Sequence, residues 1–209
     1  MHPASKTVLL STAYLPPISW ISKAMHADKV LIEAFETYPK QTYRNRCRIM
    51  AANGILPLSI PVTKTEGRKT KTKDIRIFYD EAWQRMHWRS IDAAYSNSPF
   101  YLYYKDELEG FYNKKYTFLL DMNMEIVRKI LGLLGIQTDI DLTSDFEHES
   151  EGITDLRNDI SPKIPIDETQ FINYHQVFEE RFGFIADLSI IDLLFNEGPG
   201  SIEYLVMKS

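Results

Sequence analysis

The sequence predicts an α/β domain in which a mostly parallel sheet, opened by a β-α-β unit, is extended by a basic β-hairpin and covered by a helical C-terminal half. Three observations predict this class. Strand-like and helical patterns alternate at the start of the chain, Asn53-Gly54 separates two further strand-like runs, and amphipathic helical patterns follow from residue 81. With 209 residues and 44% hydrophobic content, residues 1–209 are interpreted as a single domain.

The opening β-α-β unit begins with KTVLLS at 6–11, a short apolar run with the character of a buried strand. Pro16 and Pro17 precede an apolar-periodic stretch at 18–25, and proline is well tolerated in the first turn of a helix. KVLIEA at 29–34 predicts a second buried strand. Because a helical crossover joins them, the two strands are predicted to be parallel.

Two strand-like runs at 44–50 and 55–62 flank the Asn-Gly turn signal and predict a β-hairpin. Arg44, Arg46 and Arg48 lie two positions apart in the first run, which places them on one face of a strand. Three like charges on one face repel one another. This face is therefore expected to meet an anionic ligand, acidic side chains or water.

The rest of the chain is predicted to be mainly helical. Apolar stripes predict one helix over 81–95, a second that begins after SNSP at 96–99, and a third that ends at Gly135. A strand is predicted over 138–142, an acidic and proline-punctuated loop or lid over 147–165, a short helix ended by Gly183, and a last helix, SIIDLLFN, capped by Ser189.

Charge is distributed unevenly along the chain. Residues 40–76 contain ten lysines and arginines against two acidic residues, whereas residues 139–209 contain four against sixteen. A basic sector on a protein of net charge -5 favours a small anionic ligand over nucleic acid, because the acidic remainder repels a polyanion. The alternative is that this sector docks on the acidic half of the same chain, or of a second copy in a homo-oligomer.

Composition also disfavours several classes of protein. Cys47 is the single cysteine, which agrees with a reducing compartment, and the five histidines show no metal-ligand spacing, so no metal site is predicted. No apolar run reaches the ~20 residues that a bilayer crossing requires. The first residues are typical of a strand rather than of a secretory signal, so we expect a cytoplasmic protein without a membrane span.

The candidate site residues come mainly from the basic sector. The residues predicted to bind the substrate and its phosphate groups are Arg44, Asn45, Arg46 and Arg48 of the hairpin, Tyr14 at the entry to the first helix, and Lys71 and Lys73 of the 63–74 loop. His87 is the predicted catalytic base. The alternative interpretation of His87 is a hydrogen-bonded packing residue beside the apolar stripe of its helix.

Four fragments of the sequence together resemble the WbqC-like family of bacterial proteins: YLPPISWISKAMHADKVLIEAFE, YRNRCRIMAANGILPLSIPV, HWRSIDAAYSNSPFYLYYKDEL and LSIIDLLFNEGP. They follow the family's order over nearly the whole chain. The motif positions are Tyr14, Leu15, Pro16, Arg44, Asn45, Arg46, Arg48, Ile49, Asn53, Gly54, His87, Trp88, Ser98, Pro99, Phe100, Asn196, Glu197, Gly198 and Pro199.

The resemblance implies a part in surface-polysaccharide (O-antigen-like) biosynthesis, through transfer of glycine or another acyl group to an amino sugar. The resulting hypothesis is a transferase acting on a nucleotide-linked or phosphorylated amino sugar; the alternative is a noncatalytic binding or assembly protein of the same pathway. No cofactor is specified.

One departure from the family pattern bears on the choice between a transferase and a noncatalytic protein. Many relatives have His or Gln and then Pro directly before Tyr-Leu-Pro, whereas this chain has Ser11, Thr12 and Ala13. If the absent polar group takes part in the chemistry, this chain binds without catalysing or uses another substrate.

Overall fold

The computed structural model describes residues 6–63, 69–146 and 152–206. The described strands are β1 (Thr7–Ser11), β2 (Lys29–Glu33), β3 (Arg46–Ala51), β4 (Gly54–Ser59), β5 (Asp139–Leu142) and β6 (Ile153–Asp155). The described α-helices are α1 (Ile18–Met25), α2 (Trp83–Tyr95), α3 (Tyr101–Asn113), α4 (Leu119–Leu133), α5 (Glu179–Phe182), α6 (Ile190–Glu197) and α7 (Ser201–Tyr204). This arrangement confirms the predicted α/β class.

A four-stranded parallel sheet of order β5-β2-β1-β6 forms one layer of the molecule. β1 pairs with β2 in register from Thr7↔Lys29 to Ser11↔Glu33, and α1 makes the crossover between them. The predicted β-α-β opening is confirmed. Because all four strands run in one direction, their carboxyl ends lie along the same edge of the sheet.

The basic hairpin is confirmed as well, and it forms a separate two-stranded sheet. β3 and β4 pair antiparallel from Arg46↔Ser59 to Ala51↔Gly54, and Gly54 takes a φ of +105°, which glycine adopts without a Cβ clash. The strand prediction is wrong at Arg44, which precedes β3. The backbone there is bonded to the loop after β1, since the amide of Tyr14 donates to the carbonyl of Tyr43 at 2.9 Å.

The helices pack on the hairpin and on one another. α2 contacts both β3 and α3, and α6 contacts α1 and α3. Large rings fill the space between them: Tyr101 meets Phe195 edge-on with ring centres 5.0 Å apart, and Tyr95 lies 5.2 Å from the same ring. The predicted stop at Gly135 is confirmed, because this residue follows α4 with a φ of +71°.

Two expectations need correction. The loop predicted over 147–165 contains β6, which pairs with β1 at the edge of the parallel sheet; residues 147–151 lie outside the described residues. A three-residue edge strand offers too few positions for a period-2 pattern to be visible. Ser189 does precede α6, but its hydroxyl donates to the carbonyl of Leu15 at 2.8 Å instead of capping the helix.

None of the helices in the described ranges has the length and apolar character needed to cross a membrane.

Candidate functional site

The candidate site lies where β1 and β2 end, at the edge of the sheet where ligands bind in open α/β folds. We call five side chains there the edge cluster: Ser11, Glu33, Glu36, Arg44 and Arg157. Arg44 is 6% exposed, and its Nε and Nη2 donate to the two carboxylate oxygens of Glu36 at 2.7 Å each. This two-point contact fixes the plane of the guanidinium group.

Arg157 makes the second ion pair of the edge cluster. Its Nη1 donates to Glu33 Oε2 at 2.9 Å, while its Nε and Nη2 contact the carboxylate of Asp155. These bonds lower the pKa of Asp155. Glu33 is fully buried and also accepts hydrogen bonds from Thr143 Oγ1 at 3.1 Å and from the amide of Phe35 at 2.8 Å. Arg157 therefore joins the ends of β2 and β6.

Ser11 lies between the two arginines. Arg44 Nη2 donates a short hydrogen bond to Ser11 Oγ, and this hydroxyl donates to the carbonyl of Arg157 at 3.1 Å. Residues 11–13, Arg44 and Arg157 line a cavity of about 10 Å³, together with apolar side chains that include Ile160. A cavity of this size has room for about one water molecule. A larger ligand must bind at its mouth or displace its wall.

The structure brings Lys71 and Lys73 to the same edge. The segment that carries them runs beside residues 34–38: the Thr72 amide donates to the Glu36 carbonyl and the Lys73 amide to the carbonyl of residue 34, both at 2.9 Å. The two ammonium groups lie 5.0 Å and 4.2 Å from the ring centre of Phe35. Lys71 is exposed and Lys73 half-buried, so both charges remain available to an anion near the edge cluster.

Arg46 lies on β3 and is bonded differently from Arg44. Its Nε donates to Ser59 Oγ at 3.0 Å across the hairpin. Both guanidinium groups nevertheless influence the same side chain. Burial raises the pKa of Tyr38 to about 12, and the positive charges of Arg44 and Arg46 oppose this rise. Arg46 therefore lies beside the edge cluster without being part of it.

Arg48 and Asn45 serve the local structure. Arg48 Nη2 donates to the carbonyl of Asp187 at 3.1 Å, and its guanidinium carbon lies 5.9 Å from the centre of the Tyr43 ring. Its buried Nε has no hydrogen-bond partner in the described part of the chain. Asn45 Nδ2 donates to the carbonyl of Ile60 at 2.9 Å. Arg44, Arg46 and Arg48 thus have three different sets of partners.

His87, on α2, and Tyr14, in the loop after β1, both lie in the interior. Tyr14 OH is 3.0 Å from His87 Nδ1 and 2.7 Å from Tyr112 OH, and we call these three residues the Tyr-His network. The Ser59 backbone also forms a hydrogen bond with His87. Burial lowers the pKa of His87 to about 4, so the imidazole is neutral at neutral pH. Its side chain is 5% exposed, a placement typical of the packing alternative; its catalytic role stays a prediction.

Comparison with known proteins places the chain in a family. Residues 12–164 match the model of the WbqC-like protein family. The chain belongs to this family. It is also 24% identical over 225 residues to Uncharacterized protein Rv1507c of Mycobacterium tuberculosis (strain ATCC 25618 / H37Rv), with 96% of this chain and 97% of the relative covered. No solved structure matches it significantly.

The matched segment of this WbqC-like chain contains Arg44, His87 and Arg157, whereas Ser11 and the LSIIDLLFNEGP motif lie outside it. In the structure, that C-terminal motif builds part of the core around Asp192. Gly198 shows why glycine is needed there: its φ is +55°, and a Cβ would lie 2.5 Å from the ring of Phe100.

Asp192 is the centre of what we call the Asp192 network, which sequence reasoning missed. Its buried carboxylate accepts hydrogen bonds from Tyr95 OH at 2.8 Å, Tyr174 OH at 2.7 Å and Gln176 Nε2 at 3.2 Å. Burial raises the pKa of Asp192 to about 6 against these three donors. The network ties α6 to α2 and to the segment before α5.

The described residues give little support for a cysteine nucleophile or a metal centre. Cys47 is buried, and burial raises the pKa of its thiol far above the usual range, which disfavours a thiolate nucleophile. Among the residues that the structure describes, no group of three or more His, Cys, Asp or Glu is arranged to hold a metal ion.

Sequence reasoning indicated the carboxyl end of the first strand, around Ser11, as the place for a ligand, but it missed Glu33, Glu36 and Arg157. One signal could have indicated Glu33, because an ionisable residue at the carboxyl end of a buried parallel strand is expected to lie at the ligand-binding edge. Arg157 offers no such signal. It lies 124 positions from Glu33 in an irregular segment, and only the pairing of β6 with β1 brings it to the edge.

Proposed function

We propose that this WbqC-like chain binds a nucleotide-linked or phosphorylated amino sugar at the carboxyl edge of its parallel sheet and transfers an acyl or aminoacyl group to it. One observation carries the proposal: where β1 ends, the Ser11 hydroxyl accepts a hydrogen bond from the buried guanidinium group of Arg44 and donates one to the backbone carbonyl of Arg157, whose own guanidinium group is paired with Glu33. The family's implied connection with amino-sugar modification supplies the class of substrate.

The chemistry of the edge cluster suits a phosphate group. A guanidinium carries five N–H donors in a rigid fork, so Arg44 can hold Glu36 and still offer donors to a second anion. Glu33 and Glu36 keep the two arginines oriented before a ligand arrives. Lys71 and Lys73 add charge on flexible side chains at the same edge.

The transfer step requires a neutral nucleophile. An amine or hydroxyl of the sugar attacks the acyl carbon of an activated ester, the new bond forms, the bond to the leaving group breaks, and the nucleophile's proton passes to a base. His87 is the predicted base. Its burial and its bond to Tyr14 favour the second candidate function, a protein of the same pathway that binds the ligand without turning it over.

A titration of phosphorylated ligands tests the binding half of the proposal. The ligands are glucosamine 1-phosphate, a nucleotide sugar and inorganic phosphate. Thermal-shift and calorimetric experiments measure their binding to the wild-type protein and to the variants Arg44→Lys and Arg89→Lys. A bound ligand at ~100 times its Kd adds about 2.7 kcal/mol of apparent stability. We expect Arg44→Lys to weaken binding at least about tenfold, because lysine loses the fork, while the exposed Arg89 control has no effect.

The proposal fails if no phosphorylated compound binds, or if Arg44→Lys and Arg89→Lys behave alike. The transfer half is tested by mass spectrometry of the sugar after incubation with activated acyl and aminoacyl donors. Binding retained in His87→Ala with transfer lost supports the transferase. Binding by wild type without transfer from any donor supports the noncatalytic alternative.

A further inference from the structure

A second and larger cavity adjoins the edge cluster. It is a cleft of about 290 Å³ between α1 and residues 159–171, and Ile160 lines both this cleft and the small cavity beside Ser11. Ligand pockets usually begin at about 300 Å³, so the cleft has room for a fragment such as one monosaccharide. The edge cluster alone offers room for about one water.

The lining of the cleft has a distinct chemical character. Ile164, Ile166 and Phe171 are among the apolar side chains that form one part of its surface. Its polar part contains three carboxylates, those of Asp159, Asp167 and Asp187, against one cation, Lys23. This is the opposite sign from the basic groups at the edge cluster's mouth. An apolar surface with an excess of negative charge suits an ammonium group attached to a carbon ring.

Asp187 contributes a buried negative charge to the cleft. Its side chain is held by neutral donors at the start of α1, the Ser19 amide at 2.8 Å and the Ser19 hydroxyl at 3.0 Å. Burial raises the pKa of this carboxyl to about 6, even though the nearby Arg48 charge lowers it. Its φ of +53° is in the left-handed region, where few non-glycine residues are found. A cationic ligand would offset the cost of this burial.

Because Asp187 also caps α1, its position has a structural explanation of its own. Asp159 and Asp167 are different. Both are exposed at the rim, and among the described residues Asp167 bonds within its own turn, to Thr169 and Gln170. Substituting these two carboxylates changes the charge of the cleft without removing a contact between distant parts of the chain.

We propose that this cleft is the subsite for the amine-bearing part of the ligand, with the ammonium group at the carboxylates and the sugar ring on the apolar side chains. The inference rests on the proposed function for the phosphate end of the ligand, which the edge cluster holds on the other side of Ile160. The bound molecule is therefore bipolar, with its positive and negative ends in neighbouring subsites.

Calorimetric titration with three related probes separates the two ends. Glucosamine 1-phosphate carries both charges, glucose 1-phosphate only the phosphate, and glucosamine only the ammonium. The variants are wild type, Asp159→Asn/Asp167→Asn, and Asp106→Asn as an exposed aspartate control on α3. We expect the double substitution to weaken the affinity for glucosamine 1-phosphate only about tenfold, because each exposed ion pair contributes little free energy. The affinity for glucose 1-phosphate should not change. Asp106→Asn should match wild type for all three probes.

The outcomes distinguish this inference from the proposed function. If both phosphorylated probes bind equally well to wild type and to the double variant, the amine subsite is wrong while phosphate binding stands. If glucosamine binds and the double variant weakens it, but neither phosphorylated probe binds, the subsite stands and the proposed function is wrong. If none of the three probes binds wild type, both proposals are overturned.

Discussion

The edge cluster and the Asp192 network each bury a carboxylate completely, but they compensate its charge differently. Glu33 receives a guanidinium, from Arg157, in addition to neutral donors. Asp192 receives two tyrosine hydroxyls and an amide. An ion pair at the edge of a sheet can exchange partners with an incoming anion, whereas three neutral donors from separate elements hold a core together.

The same contrast separates the predicted site residues. Arg44, Lys71 and Lys73 lie at the edge of the sheet, where charge can meet a ligand. Tyr14 and His87 lie inside, in a chain of hydrogen bonds among aromatic side chains. The predicted site residues thus divide between the edge of the sheet and the interior of the fold. The following predictions test that division, beginning with the largest expected effect.

Asp192→Ala should cause the greatest loss of stability. It leaves the buried hydroxyls of Tyr95 and Tyr174 without an acceptor, whereas Gln176 Nε2 still donates to the carbonyl of Ile185, and we expect the free energy of unfolding to fall by about 5 kcal/mol. Urea denaturation at pH 7 measures it. Asp192→Asn keeps one acceptor and should lose about half as much. If Asp192→Ala lowers the free energy of unfolding no more than the exposed control Asp106→Ala does, the Asp192 network does not stabilise the core.

Arg44→Met should cost about 4 kcal/mol, because it leaves the poorly exposed carboxylate of Glu36 without its cation. Adding Glu36→Gln should recover at least about 2 kcal/mol of that loss, and the double-mutant cycle measures this coupling. The matched control is the surface pair of Lys114 and Glu125, whose cycle should give less than about 1 kcal/mol. Additive effects at Arg44 and Glu36 would mean that the buried ion pair is not coupled.

His87→Gln should change how stability depends on pH. The pKa of His87 is about 4 in the folded protein against an ordinary value of 6.5, so the unfolded chain binds more protons between these values. The stabilising contribution is therefore complete above pH 6.5 and is lost as the pH falls toward 4. The stability difference between wild type and His87→Gln should shrink by about 3 kcal/mol over that range.

Urea denaturation at pH 4, 5, 6 and 7 measures the His87 effect, with the exposed His26→Gln as control. Asp187 and Asp192 act in the opposite direction, since burial raises their pKa to about 6 and their ionisation costs stability as the pH rises. Comparing variant with wild type at each pH cancels their contribution. A difference that is independent of pH would contradict the buried, neutral state of His87.

Lys71→Met should have the smallest effect on stability, about 0.5 kcal/mol, because it removes only an exposed cation–π contact with Phe35. Its effect should appear instead in ligand binding, as a weaker affinity for glucosamine 1-phosphate at low salt that converges on wild type at high salt. Thermal denaturation and calorimetry measure the two effects. A large loss of stability without a change in affinity would assign Lys71 to the fold rather than to the edge.

Local patterns predicted the elements of the fold well. The β-α-β opening, the Asn-Gly hairpin and the helices that became α2, α3, α4 and α6 were all visible, because each depends on the spacing of apolar residues and on turn chemistry within one segment. β6 escaped prediction because its three residues form a strand only by pairing with β1.

The candidate site was predictable in part. The basic sector and the carboxyl ends of the strands indicated one anion-binding region, and the structure brings Arg44, Lys71 and Lys73 to the same edge of the sheet. Their role in binding stays a prediction. The sequence did not indicate that Arg46 and Arg48 have other partners, since a spacing of two fixes the face of a strand and not what packs against it.

The sequence by itself determined most of the elements, their order and the uneven charge, because these follow from neighbours along the chain. Tertiary structure alone decided which charges meet. Arg157 reaches Glu33 across 124 positions, and Asp187 reaches Ser19 across 168. Such contacts depend on how the sheet and helices pack, and no local periodicity encodes a partner at that separation.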